Sequence, residues 1–112
     1  MSRVLVISNE DFDTKSAEKF LNINLQSHIQ LKHSLSEVEN LRETFQYVIV
    51  YNIPQPEKLF PLVQPGGKLL QVFANVDESN ILDQTLIVGF VNITQEWING
   101  VKYVSGAFCG IS

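Results

Sequence analysis

The sequence predicts an α/β domain of three layers, built on a mostly parallel sheet that closes with a C-terminal antiparallel hairpin. Three observations carry that prediction. Tyr47-Val48-Ile49-Val50-Tyr51 is an unbroken apolar run of strand length, rich in β-branched and aromatic residues, as a strand covered on both faces requires. Gly67 to Phe73 is a second such run, with Leu69, Leu70, Val72 and Phe73, and the segment between the two has room for a helix. That is the layout of a right-handed βαβ unit. Finally, Asn99-Gly100 stands between two strand-like runs, and both residues tolerate the positive φ of a type I′ hairpin turn.

The remaining elements follow in chain order. Arg3 to Ser8 is apolar throughout its middle and reads as a central strand, and Asn9 to Thr14 is the loop after it. Ser16 to Leu25 places Ala17, Phe20, Leu21 and Leu25 at helical spacing, with Asp13 or Thr14 as cap. Ser27 to Lys32 alternates, with Ile29 and Leu31 on one side, as a half-buried or edge strand does. Ser34 and Glu37 have capping-box spacing, and Leu35, Val38 and Leu41 would then form one face of a second helix. Pro56 suits the first turn of a helix over Glu57 to Val63, and Pro65-Gly66-Gly67 reads as its stop. Asp77 or Ser79 caps a helix carrying Ile81, Leu82, Leu86 and Ile87, which Gly89 closes. Phe90 to Ile98 and Val101 to Phe108 form the hairpin.

The 112 residues suffice for one domain with its own core, and 45% hydrophobic against 18% charged residues argues for a folded chain. A net charge of −4, with no run of Lys and Arg, removes the electrostatic case for nucleic acid or an anionic membrane. One cysteine, Cys109, excludes an internal disulfide and a cysteine-only metal site. With no apolar stretch of spanning length and no signal-like N-terminus, a cytoplasmic domain is expected; Asn92-Ile93-Thr94 is then a chance glycosylation match.

In open parallel sheets, ligands bind beyond the carboxyl ends of the strands. Those ends are Ser8 to Asp13, His33-Ser34, Asn52-Ile53-Pro54 and Ala74 to Asp77. A nucleotide-type site needs glycine in the first loop, yet no glycine occurs between Met1 and Gln64. Glu10, Asp11 and Asp13 form an acidic cluster that reads as a solvated loop suited to a helix N-terminus, with a hard cation as the alternative. His28 and His33 straddle a strand and point to opposite faces. Cys109, Trp97, Tyr47 and Tyr51 read as packing residues, whereas Phe12, at a loop tip, suits a plug for the cleft or an anchor for a partner. No Ser-His-Asp, metal-ligand or paired-carboxylate arrangement stands out, so the expected metal and cofactor content is none.

Phe45 to Val50, Leu59 to Val63 and Gln64-Pro65-Gly66-Gly67-Lys68-Leu69-Leu70 together resemble the later strands of class I S-adenosylmethionine-dependent methyltransferases. Val88-Gly89-Phe90-Val91 resembles that family's entry to its last strands, and Asn99-Gly100 matches its closing antiparallel pair. The first half departs from the pattern. Ser8 to Asp13 stands where the glycine-rich cofactor loop belongs, and one βα unit is missing. A truncated methyltransferase-like fold of this kind is similar to the N-terminal domain of the anamorsin family of cytosolic iron–sulfur assembly factors.

That resemblance implies a non-catalytic protein-interaction domain of an anamorsin-type electron-transfer protein, not an enzyme, docking a protein partner such as a diflavin reductase. Iron–sulfur clusters would belong to a cysteine-rich region beyond Ser112, where a linker would begin, and this chain would hold none. Glu10, Asp11, Phe12, Asn52 and Asn75 would line the partner surface or a vestigial cleft. Two alternatives stay open: a small S-adenosylmethionine-dependent methyltransferase with an atypical cofactor loop, and a pseudo-receiver signalling domain, suggested by Val4 to Asp11 and Val48 to Pro54. In the latter, Tyr51 or Asn52 stands in place of the phosphoacceptor aspartate, and the hairpin replaces a terminal helix.

Overall fold

The computed structural model describes residues 3–8, 18–19, 29–32, 34–38, 43–74 and 80–108. Six strands form one sheet: β1 (Val4–Ile7), β2 (Ile29–Lys32), β3 (Phe45–Tyr51), β4 (Val63–Ala74), β5 (Val91–Ile98) and β6 (Val101–Ala107), in the order β2-β1-β3-β4-β6-β5. The pairs β1–β2, β1–β3 and β3–β4 are parallel, and β6 runs antiparallel to both β4 and β5. The α/β class, the mostly parallel sheet with a central first strand and the antiparallel close are therefore as expected. So is the edge position of β2, although its Leu31 is 54% exposed.

The period-two alternation of strand side chains splits the core cleanly. Leu5, Ile7, Val48, Val50 and Leu69 lie on one face, where they pack with Val38, Leu59, Leu62 and Phe90. Val4, Val6, Ile49, Leu70, Val72 and Tyr103 lie on the other, with Tyr47 and Tyr51 packed against them. Continuous apolar sequence in β1 and β3 is the direct consequence of burying both sets.

Helix α1 (Pro56–Leu59) runs into a 3-10 turn (Phe60–Leu62), with Pro56 at its start as predicted and Leu59 fully buried. Pro65-Gly66-Gly67 does not stop this helix. The helical backbone ends at Val63, which is already extended, and the Pro-Gly-Gly lies inside β4. There it makes a bulge. Phe45 pairs with Val63 while Tyr47 pairs with Lys68, so the β4 side carries the extra residues. Gly66 adopts φ +83, its N–H donates to the Phe108 carbonyl (2.8 Å), and the Phe108 N–H donates to the Gly67 carbonyl (2.9 Å). The Pro-Gly-Gly thus ties the start of β4 to the end of β6.

Helix α2 (Ile81–Val88) ends at Gly89, as expected, but its buried face differs from the expected one. Ile81 and Thr85 are buried, one helical turn apart, whereas Leu86 is 60% and Ile87 83% exposed. The polar Thr85 is drawn inward by a bond from buried Gln71, which hydrophobic spacing does not register. Ser34 and Glu37 do form the reciprocal half of a capping box, the Ser34 N–H donating to Glu37 Oε2 at 3.0 Å. Its described residues, Leu35–Glu37, make one 3-10 turn, with Val38 buried behind it. Of the helix expected over 16–25, Glu18 and Lys19 are described, and both are helical. The hairpin turn has Asn99 at φ 52 and Gly100 at φ 79, the two positive values that a type I′ turn needs.

Candidate functional site

The order of the strands fixes where a crevice must open. The chain steps from β1 outward to β2, then returns to the other side of β1 to place β3 and β4. The carboxyl ends of β1 and β3 therefore flank the switch point, the place where ligands bind in open α/β sheets. Ser8 follows β1 there, buried to 1% exposure, with its N–H donating to the Lys32 carbonyl at 2.9 Å. Asn52, Ile53 and Pro54 follow β3 and are half-buried.

Asn52 has a defined structural task. Its N–H donates to the Val72 carbonyl (2.7 Å), continuing the parallel ladder between β3 and β4. The next rung of that ladder would run from the Ala74 N–H to the backbone carbonyl of Asn52. Instead Asn52 turns left-handed, at φ 58, and its side-chain Oδ1 accepts the Ala74 N–H at 2.8 Å. Asparagine is suited to both parts, since it tolerates positive φ and carries a carbonyl on a short arm. The carboxamide oxygen is thus engaged inside the sheet while the chain turns away toward α1. Asn52→Gly keeps the left-handed turn and removes the acceptor, so it is expected to cost about 1 kcal/mol of stability. Asn52→Asp keeps the acceptor and should stay within about 0.5 kcal/mol of the parent. Urea denaturation followed by circular dichroism checks the pair; equal losses in both would remove the side-chain rung.

Of the residues singled out from sequence, Glu10, Asp11, Phe12 and Asn75 lie outside the described residues, as do Asp13, His28, His33 and Cys109. Among the described residues no group of three His, Cys, Asp or Glu side chains could hold a metal, and no helix is long and apolar enough to cross a membrane. Tyr47 and Tyr51 are packing residues, as read. Trp97 is not. It is 60% exposed, with the Lys102 ammonium 5.9 Å from its ring centroid.

A recess of about 490 Å³ opens elsewhere, over the hairpin at the amino-terminal end of the β4 pairing. Lys68, Asn92, Thr94, Glu96 and Ser105 line it, and the Thr94 and Ser105 hydroxyls lie 2.6 Å apart. No sequence signal pointed to it, because its residues come from three strands and meet through the pairing of β6 with β4 and β5. It holds one ammonium, one carboxylate and two hydroxyls already bonded to each other, which is no arrangement for nucleophilic or acid–base chemistry.

No protein-family model matches the sequence, and no curated protein does. Solved structures do share the fold. A methyltransferase from Pyrococcus furiosus superposes with a TM-score of 0.61 at 16% identity, over 98% of this chain and 76% of its own. The S-adenosylmethionine-dependent methyltransferase SibL gives 0.61 at 13% identity, over 96% of this chain and 50% of its own. A putative O-methyltransferase from Nostoc punctiforme gives 0.62 at 12%, over 95% and 52%. The chain thus has a methyltransferase-like fold, and it spans about half the length of SibL and of the Nostoc protein. The closing hairpin, together with these superpositions, separates it from a pseudo-receiver. The neighbours also overturn the expectation that the chain is not an enzyme, because the proteins sharing its fold are named as methyltransferases. At such identities the likeness carries the fold and no particular reaction.

Proposed function

We propose that this chain is the methyltransferase-fold domain of an anamorsin-type electron-transfer protein in cytosolic iron–sulfur protein assembly, and that it docks a protein partner, a diflavin reductase. The observation that carries this reading lies at the switch point. The sequence offers no glycine before Gly66, so the first loop lacks the residue that lets backbone approach a phosphate or ribose. Asn52, at the end of β3, spends its carboxamide oxygen on Ala74. A crevice built this way suits the polar and aromatic contacts of a protein partner, and in the sequence Glu10, Asp11 and Phe12 follow β1 and Asn75 follows β4. Iron–sulfur clusters would reside on cysteine-rich motifs that this sequence, with its single cysteine, does not contain.

A second reading, S-adenosylmethionine-dependent methyl transfer through an atypical cofactor loop, is favoured by the solved structures that share the fold. One pair of titrations separates the two. The purified chain is titrated calorimetrically with a diflavin reductase and, in parallel, with S-adenosylmethionine. A saturable complex with the reductase is the expected result. Saturable binding of S-adenosylmethionine, displaced by S-adenosylhomocysteine and without any reductase complex, would transfer the assignment to the second reading.

A further inference from the structure

Apart from Leu31, the exposed large apolar side chains among the described residues all lie at one side of the molecule. Leu86 and Ile87 stand on α2, and Val91, Trp97 and Ile98 on β5, against which α2 packs. Among the described residues, strand β5 is also the outermost strand of the sheet, exposed along nearly its whole length. Long apolar edges are what natural sheets avoid unless another strand covers them.

The hairpin determines which backbone groups that edge presents. Ile98 and Val101 flank the two-residue turn and form its hydrogen-bonded pair, so the pairing alternates from there. Thr94, Glu96 and Ile98 direct their N–H and C=O groups to β6. Gln95 and Trp97 direct theirs outward. The bulge between Val91 and Thr94 ends the flat stretch on one side and the turn ends it on the other.

We propose that β5 pairs with β5 of a second copy of this chain, antiparallel, about a two-fold axis through Gln95. This register is self-complementary. Gln95 exchanges backbone bonds with its own copy, and Trp97 lies on the α2 side of the sheet, over the bulge that ends β5 of the second copy. Thr94 faces Glu96 on the other side. No like charges oppose one another, whereas an axis through Glu96 would set two carboxylates face to face. The same two-fold brings Leu86 and Ile87 of the two α2 helices to the same side of the seam as the two Trp97 side chains. A single kind of contact thus covers Trp97, Leu86 and Ile87, the exposed apolar groups on the α2 side of this edge, as an isologous interface does.

Sedimentation velocity over a concentration series tests this independently of the proposed function. The parent chain is expected to shift from monomer to dimer as concentration rises. Gln95→Pro removes the central outward N–H at an edge position and should abolish dimerisation while leaving the circular dichroism of the fold intact. Thr94→Glu, which places a carboxylate opposite Glu96, should weaken the dimer about fivefold, and Thr94→Lys should tighten it by a similar factor. If Gln95→Pro fails to fold, the opposite shifts of the two Thr94 variants decide the matter. A parent chain monomeric at millimolar concentration overturns the proposal, and so does a dimer indifferent to both Thr94 variants.

Discussion

Gly67→Ala is expected to destabilise the chain by about 3 kcal/mol, at the upper end of what overpacking costs. The added methyl group would sit 2.6 Å from the Gln46 carbonyl oxygen, 2.9 Å from that of Gln64 and 3.0 Å from a Val63 methyl. Two of those neighbours are backbone, so no rotamer change relieves the clash. The strand would have to move, and Phe108 with it, since its N–H donates to the Gly67 carbonyl. Gly66→Ala provides the contrast. Nothing lies within 4 Å of its added carbon, and only the left-handed backbone at φ +83 resists it, which predicts a loss of about 1 kcal/mol. Urea unfolding monitored by circular dichroism measures both. Equal losses at the two positions would mean that conformation, not the close approach of β3, requires the glycines.

That asymmetry explains how the most informative motif of the sequence was both right and misplaced. Pro65-Gly66-Gly67 signals a break in regular structure, and regular structure does break there. Sequence alone cannot say whether the break ends a helix or bulges a strand. The difference rests on Gln46 and Phe108, which are remote in sequence from the glycines they meet. Where interactions are local, the sequence was legible: β1, β3 and β4 declare themselves by unbroken apolar runs, and Asn99-Gly100 by its two positive φ values. Trp97, Leu86 and Ile87 were read inward because large apolar residues usually are, yet Trp97 lies on the edge strand of the described sheet and Leu86 and Ile87 on the solvent side of α2.

The site divides the same way. Its position follows from strand order, which the βαβ pattern foreshadowed. The role of Asn52 does not, because the Ala74 N–H that it satisfies lies on another strand, 22 residues on. The fold itself was within reach through the Pro-Gly-Gly segment and the hairpin, and the methyltransferases that superpose on it bear that out. The absence of a glycine-rich first loop led to the expectation of a chain without catalysis. A missing loop motif speaks to how a cofactor could be held and not to the whole class of proteins sharing the scaffold, which is why that step failed.

Thr85→Val is expected to cost about 2 kcal/mol, although it swaps a hydroxyl for a methyl of nearly the same size. Gln71 sits in the middle of β4 between Leu69 and Phe73, fully buried, where sequence reading passed over it as part of an apolar strand. Its Nε2 donates to Thr85 Oγ1 at 2.9 Å, and that hydroxyl donates to the Ile81 carbonyl at 2.6 Å. The other end of the carboxamide, Oε1, has no partner. Removing the hydroxyl would therefore strand the whole buried amide, and an orphaned group costs its full desolvation. Gln71→Leu should behave in the opposite way. It eliminates an oxygen already unsatisfied, keeps a similar volume, and leaves the Thr85–Ile81 bond in place, so stability should match or exceed that of the parent. In the double variant the cost of Thr85→Val should largely vanish, giving a coupling of about 1.5 kcal/mol between two side chains that contribute little as a pair. A Thr85→Val loss that persists undiminished in the Gln71→Leu background would sink this account. The penalty would then belong to the Ile81 carbonyl and the end of α2, and the polar tether would have no part in seating the helix on the sheet.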